Sequence, residues 1–142
     1  MKRPAVLLLI GLAACVGPAR TSGVYESKAS TSVEGALSAV QTARMAIRDA
    51  IRGDAFATYV SITIQDAEEA ASTAEGHFSS IQPPDQASDR LREQTRQLLT
   101  QANDLIDRAR IAVRRHDTRT LARLDGPLQD LADRLDRFLQ MH

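Results

Sequence analysis

Apolar residues recur along this chain at helical spacing, not in the alternation of a strand. Val33, Leu37, Val40, Ile47 and Ile51 follow one another at intervals of 4, 3, 7 and 4, which stacks them on one face of an α-helix. Arg44 stands where that stripe would continue, and Ala43 beside it is the expected inward residue. Thr31 and Glu34 have the T-x-x-E spacing of a capping box, in which each side chain serves the other's backbone N–H. They predict a first helix over 31–52. Gly53 is placed to end it, and Asp54 to cap its successor.

A second helix is predicted over 54–81, with Phe56, Val60, Thr63 or Ile64, Ala67, Ala70 or Ala71, Ala74, Phe78 and Ile81 on its stripe. Pro83-Pro84 stops it, because proline has no N–H to give the preceding turn. A third is predicted over 86–115, with Asp85 and Ser88 competing as its cap and Leu91, Leu98, Ala102, Leu105, Ala109 and Ala112 or Val113 facing inward. The fourth, over 117–140, has the strictest pattern: Leu121, Leu124, Leu128, Leu131, Leu135 and Phe138. Pro127 inside it removes a backbone bond and predicts a kink or a split, with Asp125 recapping the second part.

Four amphipathic helices joined by short turns bury their stripes most simply against one another. The predicted fold is therefore all-α, an antiparallel up-down four-helix bundle over residues 31–142. A helical-hairpin repeat would need shorter helices and a 34-residue period that the chain does not show. Ala50-Ile51-Arg52-Gly53-Asp54 echoes Ala112-Val113-Arg114-Arg115-His116-Asp117, which reads as shared capping logic, with duplication of a helical hairpin as the alternative. Since every stripe begins at Val33, a chain starting near residue 29 is expected to keep its core.

Residues 16–30 contain Gly17, Pro18, Ser22, Gly23 and Ser27 and read as a flexible tether. Tyr25, the one large apolar residue there, is expected to pack back on the domain. Ahead of the tether, Lys2 and Arg3 precede an uncharged run from Ala5 to Ala14 that ends at the single cysteine, Cys15. A basic start followed by an apolar run of this length has the form of a secretory signal peptide, too short to span a bilayer. Leu12-Ala13-Ala14-Cys15 resembles the lipobox of bacterial lipoproteins. The resemblance implies removal of residues 1–14 by cleavage between Ala14 and Cys15, a diacylglycerol on the Cys15 thiol, and retention on the extracytoplasmic face of the cell membrane. In a cell with an outer membrane, Val16 after the cysteine would not hold the protein at the inner one. The alanine- and arginine-rich remainder resembles the small helical lipoproteins of high-GC actinobacteria, a likeness of style that assigns no activity.

Charge and chemistry narrow the function further. The chain has 18 basic and 18 acidic side chains, so loss of Lys2 and Arg3 leaves 16 against 18, a net charge of about −2. That argues against nucleic acid, whose binders need excess positive charge to displace phosphate counterions. With Cys15 lipidated no thiol remains for a disulfide, and packing alone must hold the fold. A di-iron site needs Glu-x-x-His on two helices, and the sequence has none. Asp66, Glu68, Glu69 and Glu75 fall off the apolar stripe and read as a solvated face. His77 and His142 end helices at one pole, and His116 ends one at the other, roughly 40 Å away at 1.5 Å per residue. No Gly-x-Ser-x-Gly elbow or glycine-rich phosphate loop occurs. The expectation is a chain that is not an enzyme and carries no cofactor or metal.

One feature carries weak binding chemistry. Arg108, Arg110, Arg114, Arg115, Arg119 and Arg123 crowd the turn between the third and fourth helices. Structurally they would pair with Asp104, Asp107, Asp117 and Asp125; functionally they would meet an anionic partner. The resulting expectation is a lipid-anchored envelope protein acting as a helical interaction module, with an envelope protein as partner and the membrane held through the anchor. The alternative is a carrier or sensor that binds a small apolar or anionic ligand within the bundle.

Overall fold

The computed structural model describes residues 20–142. They form four helices: α1 (Ser22–Arg52), α2 (Ala57–Ser79), α3 (Ala87–Arg114) and α4 (Thr118–Met141). No strand occurs among the described residues, and the helices pack as a four-helix bundle. The direction alternates. Gly35 of α1 faces Ala74 of α2, Glu68 of α2 pairs with Arg110 of α3, and Arg44 of α1 pairs with Asp125 of α4. The diagonal is closed by α1 and α3, while α2 and α4 do not touch. Small residues permit the close α1–α2 approach: a Cβ at Gly35 would sit 3.5 Å from that of Ala74.

The first helix begins nine residues earlier than the capping-box spacing implies. Thr21, extended at φ −145° and ψ 157°, is its N-cap and accepts from the Val24 N–H. Thr31 lies within the helix and donates back to the Ser27 carbonyl, as Ser30 does to that of Glu26. The tether expected over 16–30 is thus helical from Ser22 onward, and its residues before Arg20 lie outside the described residues. Tyr25 is fully buried, its ring centroid 5.5 Å from that of Phe78. The buried line runs Tyr25, Ala29, Val33, Ala36, Val40, Ala43, Ile47. The core therefore starts eight residues before Val33.

Asp54 does not cap α2. That helix follows Phe56, which is extended and lacks any side-chain capping bond, while Asp54 turns to Arg52 at 2.8 Å. Phe56 is consequently 88% exposed and no part of the inward stripe. Before α3, Asp85 wins the competition: its Oδ1 accepts from both the N–H and the hydroxyl of Ser88 at 2.8 Å. The fourth helix is not split. It runs unbroken through Pro127, because Gly126 and Pro127 lie on the exposed face, where water can take the carbonyl bond that proline leaves unmade. Asp125 makes no second cap; it faces α1.

Leu121, Leu124, Leu128, Leu131, Leu135 and Phe138 are all buried, as are Leu98, Leu99, Leu105 and Ile106 of α3. None of the described helices is long and apolar enough to cross a membrane.

Candidate functional site

Both turns at the end of the bundle remote from Ser22 use the same backbone device. At the first, Gly53 sits in the left-handed region at φ 72° and donates to the Ala50 carbonyl, while the Asp54 N–H reaches Asp49. At the second, His116 occupies the left-handed position at φ 53° and donates to Val113, while the Asp117 N–H reaches Ala112. This pair of bonds satisfies the last carbonyls of a helix, and glycine is its usual pivot. The echo between the two segments is a shared C-terminal capping motif. It does not extend to the following helix starts, since Asp117 caps α4 by accepting from the Thr120 N–H at 2.9 Å and Asp54 caps nothing. The hydroxyl and N–H of Thr120 hold the Asp117 carboxyl below the ordinary aspartate range.

A pivot with a side chain costs about 1 kcal/mol or more over glycine, and His116 takes it with its side chain exposed. It lines a cavity of about 140 Å³ between the two turns. Ala50, Ala55, Ala57, Val60, Val113, Thr118 and Leu121 form the remaining wall. All four helices contribute, and the lining is mainly apolar.

The arginine cluster separates into two kinds of residue. Arg110 is committed: its Nε lies 2.8 Å from Glu68 across the α2–α3 contact, and it also pairs with Asp107. Those two carboxylates raise its already high pKa. Among the described residues, no carboxylate lies within ion-pair distance of Arg108, Arg114, Arg115, Arg119 or Arg123. All five are exposed. Arg123 donates to the Thr120 hydroxyl at 2.8 Å.

Of the four aspartates expected to balance these arginines, Asp107 does pair with Arg110, while Asp104 is exposed and makes no ion pair among the described residues. Asp117 caps α4. Asp125 accepts from Arg44 at 3.0 Å and Arg48 at 3.1 Å, both on α1. Burial pushes the Asp125 carboxyl up, but hydrogen bonds and charge from those arginines more than offset it and leave it below the usual range. Arg44, with only 12% of its side chain exposed, is therefore neither a stripe residue nor a free cation. It ties α1 to α4.

The acidic residues of α2 do not form one solvated face. Glu68 holds Arg110, and Glu75 accepts from Thr100 and Asn103 of α3, each at 2.6 Å. Asp66 and Glu69 remain exposed. At the opposite pole, His142 Nδ1 lies 2.9 Å from Glu26 and its ring stacks on Phe138 at 4.6 Å, while His77 lines the α1–α2 groove. No group of three or more His, Cys, Asp or Glu side chains among the described residues is arranged to hold a metal ion. Cys15, Ala14 and the cleavage point between them lie outside the described residues.

Comparisons with protein-family models, curated proteins and solved structures returned no match to this chain.

Proposed function

We propose that this chain is a lipid-anchored helical interaction module of the bacterial envelope, with no catalytic role, that presents the α1–α2 and α3–α4 turns to an acidic protein surface. The observation that carries the reading is the crowding of five exposed arginines, without an ion-pair carboxylate among the described residues, around the α3–α4 turn at the pole farthest from Ser22. The other described arginines outside any ion pair, Arg20, Arg90, Arg92, Arg134 and Arg137, are spread over the rest of the bundle. Uncompensated surface charge lowers stability through self-repulsion and raises association with opposite charge.

Two further features support the anchor. The lipobox-like Leu12-Ala13-Ala14-Cys15 would supply the thiol. With α1 starting at Ser22, six residues, Val16 to Thr21, separate Cys15 from the helix, and six residues reach at most about 20 Å. A helix of 31 residues spans about 46 Å at 1.5 Å per residue. A bundle held upright on so short a leash would carry its arginines well clear of its own lipid surface, which favours a protein partner over a headgroup.

The test is site-specific photocrosslinking in cells. A photoreactive residue at Arg119 should give a discrete heavier adduct that disappears when Arg114, Arg115 and Arg123 are replaced by glutamine. The same residue at Ser38, on the exposed face of α1, should give none. Adducts of equal yield at both positions, or an adduct at Arg119 indifferent to the glutamines, would refute the reading.

A further inference from the structure

From the cavity between the two turns we infer a second kind of site: a pocket for a small organic anion, a compact aromatic or branched apolar group bearing one carboxylate or phosphate. It shares the arginine-rich pole with the proposed protein surface but rests neither on the lipid anchor nor on any protein partner.

The size sets the apolar part. The space, about 140 Å³, is a cleft open to solvent, with Val60 and Leu121 buried at its floor, Ala50, Ala55 and Val113 half-buried, and Ala57, His116 and Thr118 exposed at its rim. Its volume is close to that of a cavity that accepts benzene, and its apolar walls give a compact hydrocarbon group a surface to cover. Larger side chains at the alanines would close it.

The charge sets the polar part. Arg114 and Arg115 immediately precede His116 in the chain, and Arg119 immediately follows Thr118, so exposed arginines outside any ion pair among the described residues are the chain neighbours of both polar residues of the wall. Arginine is suited to a planar carboxylate or a phosphate, which its fork can meet with two parallel hydrogen bonds. His116 lines the cleft as an exposed residue in a conformation that glycine would adopt more cheaply. An apolar group in the cavity with an anion at its mouth satisfies all three features together. A neutral hydrocarbon leaves the arginines unused, and a bare inorganic anion leaves the cavity empty.

The probe is benzoate, compared with benzyl alcohol and acetate, titrated into the full chain in detergent with ¹³C-labelled methyl groups followed by NMR. Benzoate should move the methyls of Ala50, Ala55, Ala57 and Val113 saturably, and bind about tenfold more tightly than benzyl alcohol, as an added charge-assisted contact implies. Acetate should leave those methyls still. Ala50→Leu and, separately, Ala57→Leu should abolish the benzoate shifts; circular dichroism checks that each variant stays helical, and retention in either helical variant overturns the site. Replacing Arg114, Arg115 and Arg119 by glutamine should remove the preference over benzyl alcohol while keeping benzyl alcohol's own affinity. Equal binding of benzoate and benzyl alcohol by the unaltered chain would overturn the anion part, and no movement of the cavity methyls would overturn the whole. Because no partner or membrane enters the experiment, its failure leaves the photocrosslinking result standing, and the reverse holds.

Discussion

Tyr25 concentrates the energetics of the bundle's entry end in one side chain. Its ring is fully buried against Phe78, but its hydroxyl has no hydrogen-bond partner among the described residues. These two facts pull in opposite directions. Removing the ring leaves a cavity and should cost about 3–5 kcal/mol. Removing only the hydroxyl deletes an unsatisfied polar group and should be neutral or mildly stabilising. Tyr25→Ala should therefore unfold at much lower denaturant than the parent, and Tyr25→Phe at the same concentration or slightly higher. Burial also pushes the hydroxyl above its ordinary pKa of 10.0, a rise that Asp89 reinforces and Arg92 opposes. The folded state then holds this proton more tightly than the unfolded state. The associated stability is complete below pH 10 and falls as pH rises beyond it. Denaturation curves at pH 9 and above should show a steeper alkaline loss in the parent than in Tyr25→Phe; equal slopes would place the hydroxyl in water.

Among elements, the ones carrying large aliphatics were the most legible. The α4 stripe from Leu121 to Phe138 was readable residue by residue, and all of it is buried. The start of α1 was not, because its inward residues after Tyr25 are small: Ala29 and Ser32 sit among serines and a glycine that imitate a tether. The T-x-x-E at Thr31 misled for a physical reason. A threonine in mid-helix spends its hydroxyl on the preceding turn, as Thr31 does on Ser27, and only the backbone shows which use it makes. Phe56 misled in the opposite way: it has the spacing of a core residue but precedes the first helical turn. The arginine cluster was visible as composition. The Asp107–Arg110 pair lay at local i,i+3 spacing, but the Glu68–Arg110 contact and the turn of Asp125 toward Arg44 and Arg48 depend on which helices are neighbours, and no local pattern encodes that. Removing residues before 29 deletes the Thr21 cap and Tyr25, and by this account lowers the melting temperature by about 10–20 °C. An unchanged melting temperature would mean that the first two turns of α1 contribute nothing to the core.

At the scale of the molecule, the two poles gather different features, although among the described residues exposed arginines outside any ion pair also occur toward the entry pole at Arg20, Arg90, Arg134 and Arg137. The entry pole gathers Tyr25, Phe78, the Phe138–His142 stack and the His142–Glu26 contact. The other gathers two capped turns, an apolar cavity and the five unpaired arginines. Such a division has a direction only if one pole is fixed, and under the proposed function Cys15 fixes it. Two acyl chains give stable anchoring where one alone is marginal. Binding through arginines would instead be screened by salt. The most direct measurement is fractionation of cells expressing the intact chain, with membranes washed in high salt and the N-terminal peptide weighed by mass spectrometry. The account predicts that the protein stays with the membranes, begins at Cys15 and carries diacylglycerol there, and that Cys15→Ser accumulates as precursor or escapes to the medium with its bundle intact. Intact chain found wholly in the soluble fraction, with an unmodified Cys15, would contradict it.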